Sequence, residues 1–206
     1  MLGAVVTTSA MAVGGRCAWA EAGVGAVLTQ HRTDPRLGPK MLERLRGGAA
    51  PDAMLRDLEQ SESGLGWRQL AVIDAGGQAA FFNGDKIYSV HKGKVGRDCV
   101  AAGNILRNSD VVDAMVASFE ANAEQPLAER LMRAIEAGDA AGGELKQLKS
   151  AGLLVVHRES FAFVDLRVDL DPQPLVQLRF LWELYQPSAD EYVVRAVDPD
   201  KVPRPA

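Results

Sequence analysis

Catalysis requires nucleophiles, acids and bases that converge, so the histidines, thiols and hydroxyl-rich runs carry the first information. The three histidines, His31, His91 and His157, are scattered along the chain. Zinc ligands usually show as local pairs. No such pair occurs here, so no metal and no other cofactor is expected. His31 follows a run that reads as a strand end, where an imidazole could act as acid or base. His157 reads as solvent-facing at a hairpin turn. Cys17 and Cys99 stand far apart and form no C-x-x-C, so neither a zinc ribbon nor a redox dithiol is suggested. Both read as small buried hydrophobes. The chain has no G-x-S-x-G elbow, no G-x-x-x-x-G-K-[ST], no H-E-x-x-H and no complete G-x-G-x-x-G. Gly23-Val24-Gly25 lacks the third glycine and falls within a strand.

These residues must be positioned by 206 residues, the size of one domain. The composition is 47% hydrophobic and 24% charged, which is ordinary for a globular protein able to bury a core without metal or disulfides. A net charge of −4 argues against a nucleic-acid footprint. Lys86, Lys92, Lys94 and Arg97 do cluster, but no aromatic residues alternate with them as a strand-binding surface requires, and the segment reads as a solvated loop. No stretch of about 18 apolar residues exists, so no membrane span is expected. The first fifteen residues lack a positive n-region and read as a strand and loop rather than a signal peptide. The expectation is a cytoplasmic protein.

The coarse pattern alternates strand pairs with helix pairs. Leu2 to Thr8 and Gly23 to Gln30 read as buried strands, with a connection through Gly14-Gly15 and Trp19 to Ala22. Asp34-Pro35 opens a helix carrying Met41, Leu42 and Leu45, which Gly47-Gly48 stops; Pro51 starts a second with Met54, Leu55 and Leu58. Gln69 to Ile73 and Ala79 to Phe82 form a hairpin around Asp74-Ala75-Gly76-Gly77-Gln78. Cys99 to Leu106 reads as a strand. A second helix pair follows, with Val111, Val112, Met115, Val116 and Phe119 on one helix and Leu127, Leu131 and Ile135 on the other. Leu153 to His157 and Phe161 to Leu170 make another hairpin, and Pro174 to about Tyr185 a last helix. Parallel β-α-β units need single crossover helices, so antiparallel sheets flanked by helical hairpins are expected. The domain is read as 1–186, with 187–206 a loosely packed tail.

The ordered segments TTSAMAVGG (7–15), AGVGAVLTQ (22–30), LGPKMLERLRGG (37–48), RQLAVIDAGGQAAFFNG (68–84), GNIL (103–106), PLAERLMRAIEAGDAAGG (126–143) and SAGLLVV (150–156) resemble the family called domain of unknown function 1028. The resemblance spans about Leu2 to Tyr185. It implies an α+β fold of the N-terminal-nucleophile-hydrolase type, a four-layer αββα sandwich of antiparallel sheets flanked by helix pairs. It further implies distant kinship to amidases. In that fold a leading Thr, Ser or Cys attacks a carbonyl while its own α-amine, with pKa of about 8, takes the proton.

The sequence departs from that pattern at its beginning. Family members carry an extra first strand with a Thr near its start; here the chain reads Met1-Leu2, and bulky Leu2 should block removal of the initiator Met. Three explanations stay open: an upstream start that restores strand and nucleophile, internal cleavage exposing Thr7, Thr8 or Ser9, or a non-catalytic relative. The loop before SAGLLVV keeps Gly142, Gly143 and Ser150 but otherwise leaves the family pattern, and Asn83 stands where Thr is common. What the resemblance implies for the site is Thr7, Thr8 and Ser9 lining a cleft between sheets, with Gly103 and Asn104 donating to an oxyanion. Gln30, His31 and Arg32 would bind a carboxylate, and the loop with Glu144 and Ser150 would touch substrate. The implied function is hydrolysis of an amide bond in a small molecule. The alternative is a binding or assembly module without turnover. A homo-oligomer is compatible with the apolar stripes; no nucleic-acid or membrane partner is expected.

Overall fold

The structure, a computed structural model, describes residues 1–202. Strand β1 (Leu2–Thr8) leads into a one-turn helix α1 (Gly14–Cys17), then β2 (Ala18–Glu21) and β3 (Gly25–His31). Helices α2 (Leu37–Arg46) and α3 (Pro51–Ser61) precede β4 (Arg68–Asp74) and β5 (Ala79–Asn83). After β6 (Lys92–Gly96) and β7 (Cys99–Gly103) come α4 (Asp110–Ala121) and α5 (Leu127–Ala140). The chain closes with β8 (Ser150–Val156), β9 (Ala162–Val168), α6 (Pro174–Tyr185) and α7 (Ala189–Val197). All strand pairs are antiparallel, in three sheets ordered β1-β8-β9, β2-β3-β4-β5 and β6-β7.

Local chemistry accounts for these elements. Pro51 sits at the start of α3, where its missing N–H costs nothing. Gly48 ends α2 at φ +86°, a conformation that disfavours side chains. Between β4 and β5, Asp74 Oδ1 accepts from the N–H groups of Gly76 and Gln78, both at 2.9 Å, and Gly77 supplies the positive φ.

Strand alternation then distributes the core. Val27, Leu70 and Val72 face α2 and α3, meeting Met41, Leu45, Met54 and Leu58. Val5, Leu153 and Val155 face the other way, onto Met132 and Ile135 of α5 and Leu178 and Trp182 of α6. Ala4 and Val6, on the opposite face of β1, pack with Val13, Cys17, Ala18 and Leu28. Small residues at this third cluster let β1 lie close over β2 and β3. Helix α4 covers β6 and β7 through Ala101, Val112 and Val116.

Three expectations need correction. The connection 14–22 contains α1 and β2; the run Ala-Trp-Ala-Glu has no β-branched residue to mark a strand. The solvated loop around Lys92 and Lys94 includes β6, whose lysines both pair with Asp113, at 2.5 and 2.8 Å. The tail beyond Pro187 is helical over α7, anchored by buried Ala189 and by Tyr192 against Tyr185 at 5.2 Å between ring centroids. Positions 203–206 of that tail lie outside the described residues. No helix among the described residues is long and apolar enough to cross a membrane.

Candidate active site

A cavity of about 320 Å³ runs along the whole of β1. Every residue of β1 and of β7 lines it, and none of β8 or β6 does. It therefore lies between two sheet edges, β1 with its partner β8 on the far side and β7 with its partner β6 on the far side. Met115, Leu127, Leu131 and Ile135 from α4 and α5 form one broad wall; Ala26, Leu28, Ala71 and Ile73 from β3 and β4 form the other. The interior is elongated because it follows the β1 and β7 edges, and apolar because most of the side chains along those edges and both walls are apolar.

One end is polar. β1 and β7 both deliver their C-terminal ends to the loop at 143–145. Ser9 donates its backbone N–H to Glu144 Oε2 at 2.9 Å, and its hydroxyl donates to Glu144 Oε1. Leu145 N donates to Ile105 O at 2.7 Å, and Arg107 N to Gly143 O at 3.1 Å. This mouth gathers Thr7, Thr8, Ser9, Gln30, His31, Gly103, Asn104 and Glu144, all lining the cavity. Eight of the ten residues singled out from sequence thus meet at one place, which makes the mouth the candidate site.

The other two do not reach it. Arg32 is not a lining residue; its guanidinium lies over the Trp67 ring at 3.9 Å from the centroid. Ser150 is fully buried, donates to Ala10 O at 2.7 Å and accepts from Val13 N at 3.1 Å. It anchors the loop after β1, and Thr7 Oγ1 donates to its carbonyl at 2.9 Å. Substrate contact is therefore the wrong role for Ser150, whose hydroxyl is wholly engaged inside.

Gln69 was not singled out, and it holds the site together. It is fully buried, on the same face of β4 as Ala71 and Ile73. Its side-chain amide donates to Asn83 Oδ1 at 2.8 Å, Gly103 O at 2.9 Å and Lys92 O at 3.3 Å, and accepts from Asn104 Nδ2 at 3.0 Å. It fixes the end of β7 and the Asn104 side chain at once. A signal existed in the sequence: an amide inside a run that is otherwise apolar must find partners if buried. Arg16, also unflagged, lines the cavity beside the mouth.

Two strained residues stand at the mouth: His31 at φ 64° and Ile105 at φ 55° both line the cavity. A β-branched residue at positive φ is an outlier that only surrounding structure can enforce. Ile105 is held by Leu145 N on its carbonyl and by Ser89 Oγ accepting its N–H at 2.9 Å. His31 Nδ1 lies 2.7 Å from Trp67 O, and its ring meets Tyr88 edge-on.

The two lining cysteines are poor nucleophiles. Burial pushes the thiols of Cys17 and Cys99 above their ordinary value, so both are protonated near neutral pH. Among the described residues no group of three His, Cys, Asp or Glu could hold a metal ion. The chemistry open to the mouth is that of hydroxyls, amides, an imidazole and a carboxylate.

Comparison with known proteins follows the same outline. The crystal structure of protein SPO2555 from Silicibacter pomeroyi, itself assigned to the DUF1028 family, superposes with a TM-score of 0.83 at 29% identity, covering 89% of this chain and 80% of that one. No curated protein matches the chain. The family model described as a family of unknown function (DUF1028) matches residues 1–178. The chain belongs to this family, DUF1028.

Proposed function

We propose that the mouth hydrolyses an amide bond of a small molecule, on the four-layer αββα plan of N-terminal-nucleophile hydrolases. Helices packed on the outer faces of antiparallel sheets, α2 and α3 against β3 and β4, α5 and α6 against β1 and β8, support that plan. The observation that carries the reading is the strand-wide cavity between the β1 and β7 edges, open at a polar mouth. The β1 and β7 edges both line the cavity along their full length, so an extended segment can pair with a sheet edge there. β1 and β7 both end at the 143–145 loop, so a strand joined to Leu2 by a hairpin would run antiparallel to both. Its first residue would then lie beside Thr8, Ser9, Asn104 and Glu144. A Thr, Ser or Cys in that place would carry nucleophile and amine together. Asn104, oriented by Gln69, would donate to the developing oxyanion. Glu144, bridged to Ser9, would orient the leading amine.

Binding without turnover is the second reading, and a specific observation favours it: Thr7 Oγ1 is engaged on Ser150 O at 2.9 Å, and burial raises the pKa of both lining thiols, so these side chains are poor nucleophiles.

The test is a panel of chromogenic amides with protein purified from its native source. Wild type is expected to cleave at least one member, and Asn104→Ala to cut kcat by about 10²–10³-fold. An unaltered rate in that variant would remove the oxyanion role, and no cleavage by wild type would favour binding alone.

A further inference from the structure

Arg16 lines the cavity at its mouth, and among the described residues it is the only lysine or arginine that does. Its Nε donates to Ala12 O at 3.3 Å and its Nη2 to Met11 O at 2.8 Å. A guanidinium has five N–H groups. Two are used on these carbonyls, which leaves three on Nη1 and Nη2, the edge that matches a carboxylate fork to fork. No ion pair among the described residues involves Arg16.

The bracing is rigid. Ala12 stands at φ 55°, and Ala12 N donates to Asp169 O at 2.8 Å. Buried Ser150 holds the same loop at Ala10 and Val13. A guanidinium fixed in this way loses little freedom when it takes up a ligand. The remaining charges at the mouth are of the opposite sign. Asp139 and Glu144 line it as well, and both Glu144 oxygens are engaged by Ser9. An anion is therefore welcome only at Arg16, which sets the direction in which a charged molecule enters.

Resting on the hydrolytic reading for the reaction but not for the binding, we propose that the substrate class is an amide bearing a carboxylate, as in an N-acyl amino acid. Arg16 grips the carboxylate, and the amide carbonyl reaches towards Asn104. Recognition at this point is by fork geometry as well as charge, so lysine is an incomplete substitute.

The experiment measures binding of two probes that differ only in charge, N-phenylacetylglycine and its neutral carboxamide. Side-chain ¹⁵N resonances of Arg16 and calorimetry follow each titration in wild type, R16Q and R16K. Wild type is expected to prefer the carboxylate by about tenfold or more, the effect of one charge-assisted contact. R16Q should bring the two probes to within about twofold, with R16K between. Taking the ratio of the two probes cancels any general loosening of the loop in R16Q. Equal affinities in wild type, a preference that survives in R16Q, or no saturable binding of the carboxylate each overturns the assignment. Carboxylate-selective binding that depends on Arg16, without hydrolysis, supports the Arg16 assignment and overturns only the hydrolytic reading. Cleavage of neutral amides at the same rate in wild type and R16Q, without any carboxylate preference, sinks it while leaving the hydrolytic reading intact.

Discussion

Gln69→Ala is expected to damage both stability and the local order of the site. Wild-type Gln69 is fully buried and satisfies Asn83 Oδ1, Gly103 O, Lys92 O and Asn104 Nδ2. Truncation strands these groups together. Asn104 opens onto the cavity and can recruit water, as can Gly103 beside it, so only part of the set stays unsatisfied. With each stranded buried group costing about 1–3 kcal/mol, the loss should total roughly 3 kcal/mol. For a chain of this length that lowers Tm by about 6–12 °C. Gln69→Glu should do at least as much harm, because a carboxylate would face three carbonyl oxygens where two N–H groups now point. The assay is urea unfolding, paired with hydrogen exchange read at residues 103–106. Gln78→Ala, on an exposed turn, is the control and should stay within about 0.5 kcal/mol of wild type. A Gln69→Ala protein as stable as that control, or with unchanged exchange at 103–106, would refute the claim that this amide organises the mouth.

Other outcomes follow from close packing and charge. Gly84→Ala would set a Cβ 2.1 Å from the Gly66 carbonyl oxygen, a backbone atom, so the end of β5 must shift, costing about 3 kcal/mol in unfolding free energy. The Glu129 carboxylate receives Arg179 and Trp182, both from α6, at 2.7 and 2.9 Å, and Arg133 at 2.6 Å. Burial pushes its pKa up, but these bonds together outweigh burial and hold it below its ordinary 4.5. A group with a lowered folded pKa contributes stability above its unfolded value and loses it as pH falls through the folded one. Stability measured by denaturant should therefore decline below about pH 4.5, and Glu129→Gln should flatten that decline while lowering stability at pH 7.

The fold was legible where burial writes a period into the sequence. The Leu, Met and Val positions of β1, α2, α3, α5 and α6 repeat at helix or strand spacing, because one face of each element meets a core. β2 and β6 left no such mark. β2 is short and built on Ala and Trp, and β6 carries lysines whose ammonium groups reach Asp113 on a helix distant in sequence. The mouth was legible in part. Thr7 to Ser9, Gly103 and Asn104 sit in segments whose order resembles the family, and their convergence follows from topology. Ser150 and Arg32 have the right chemistry beside the right segments, but a one-residue change of direction decides whether a side chain faces the cavity or, as these two do, the interior and the solvent. Gln69 was hidden for the opposite reason: its importance lies in four partners from three other segments, and a linear sequence does not display them.

The central claim is that the polar mouth where β1 and β7 end hydrolyses a small-molecule amide, with Asn104, held by Gln69 at 3.0 Å, donating to the oxyanion. Turnover of a chromogenic amide panel by wild type and by Asn104→Ala measures this most directly. The account predicts that wild type cleaves at least one member and that the variant's kcat falls by about 10²–10³-fold. No cleavage by wild type, or an unaltered rate in the variant, would contradict it.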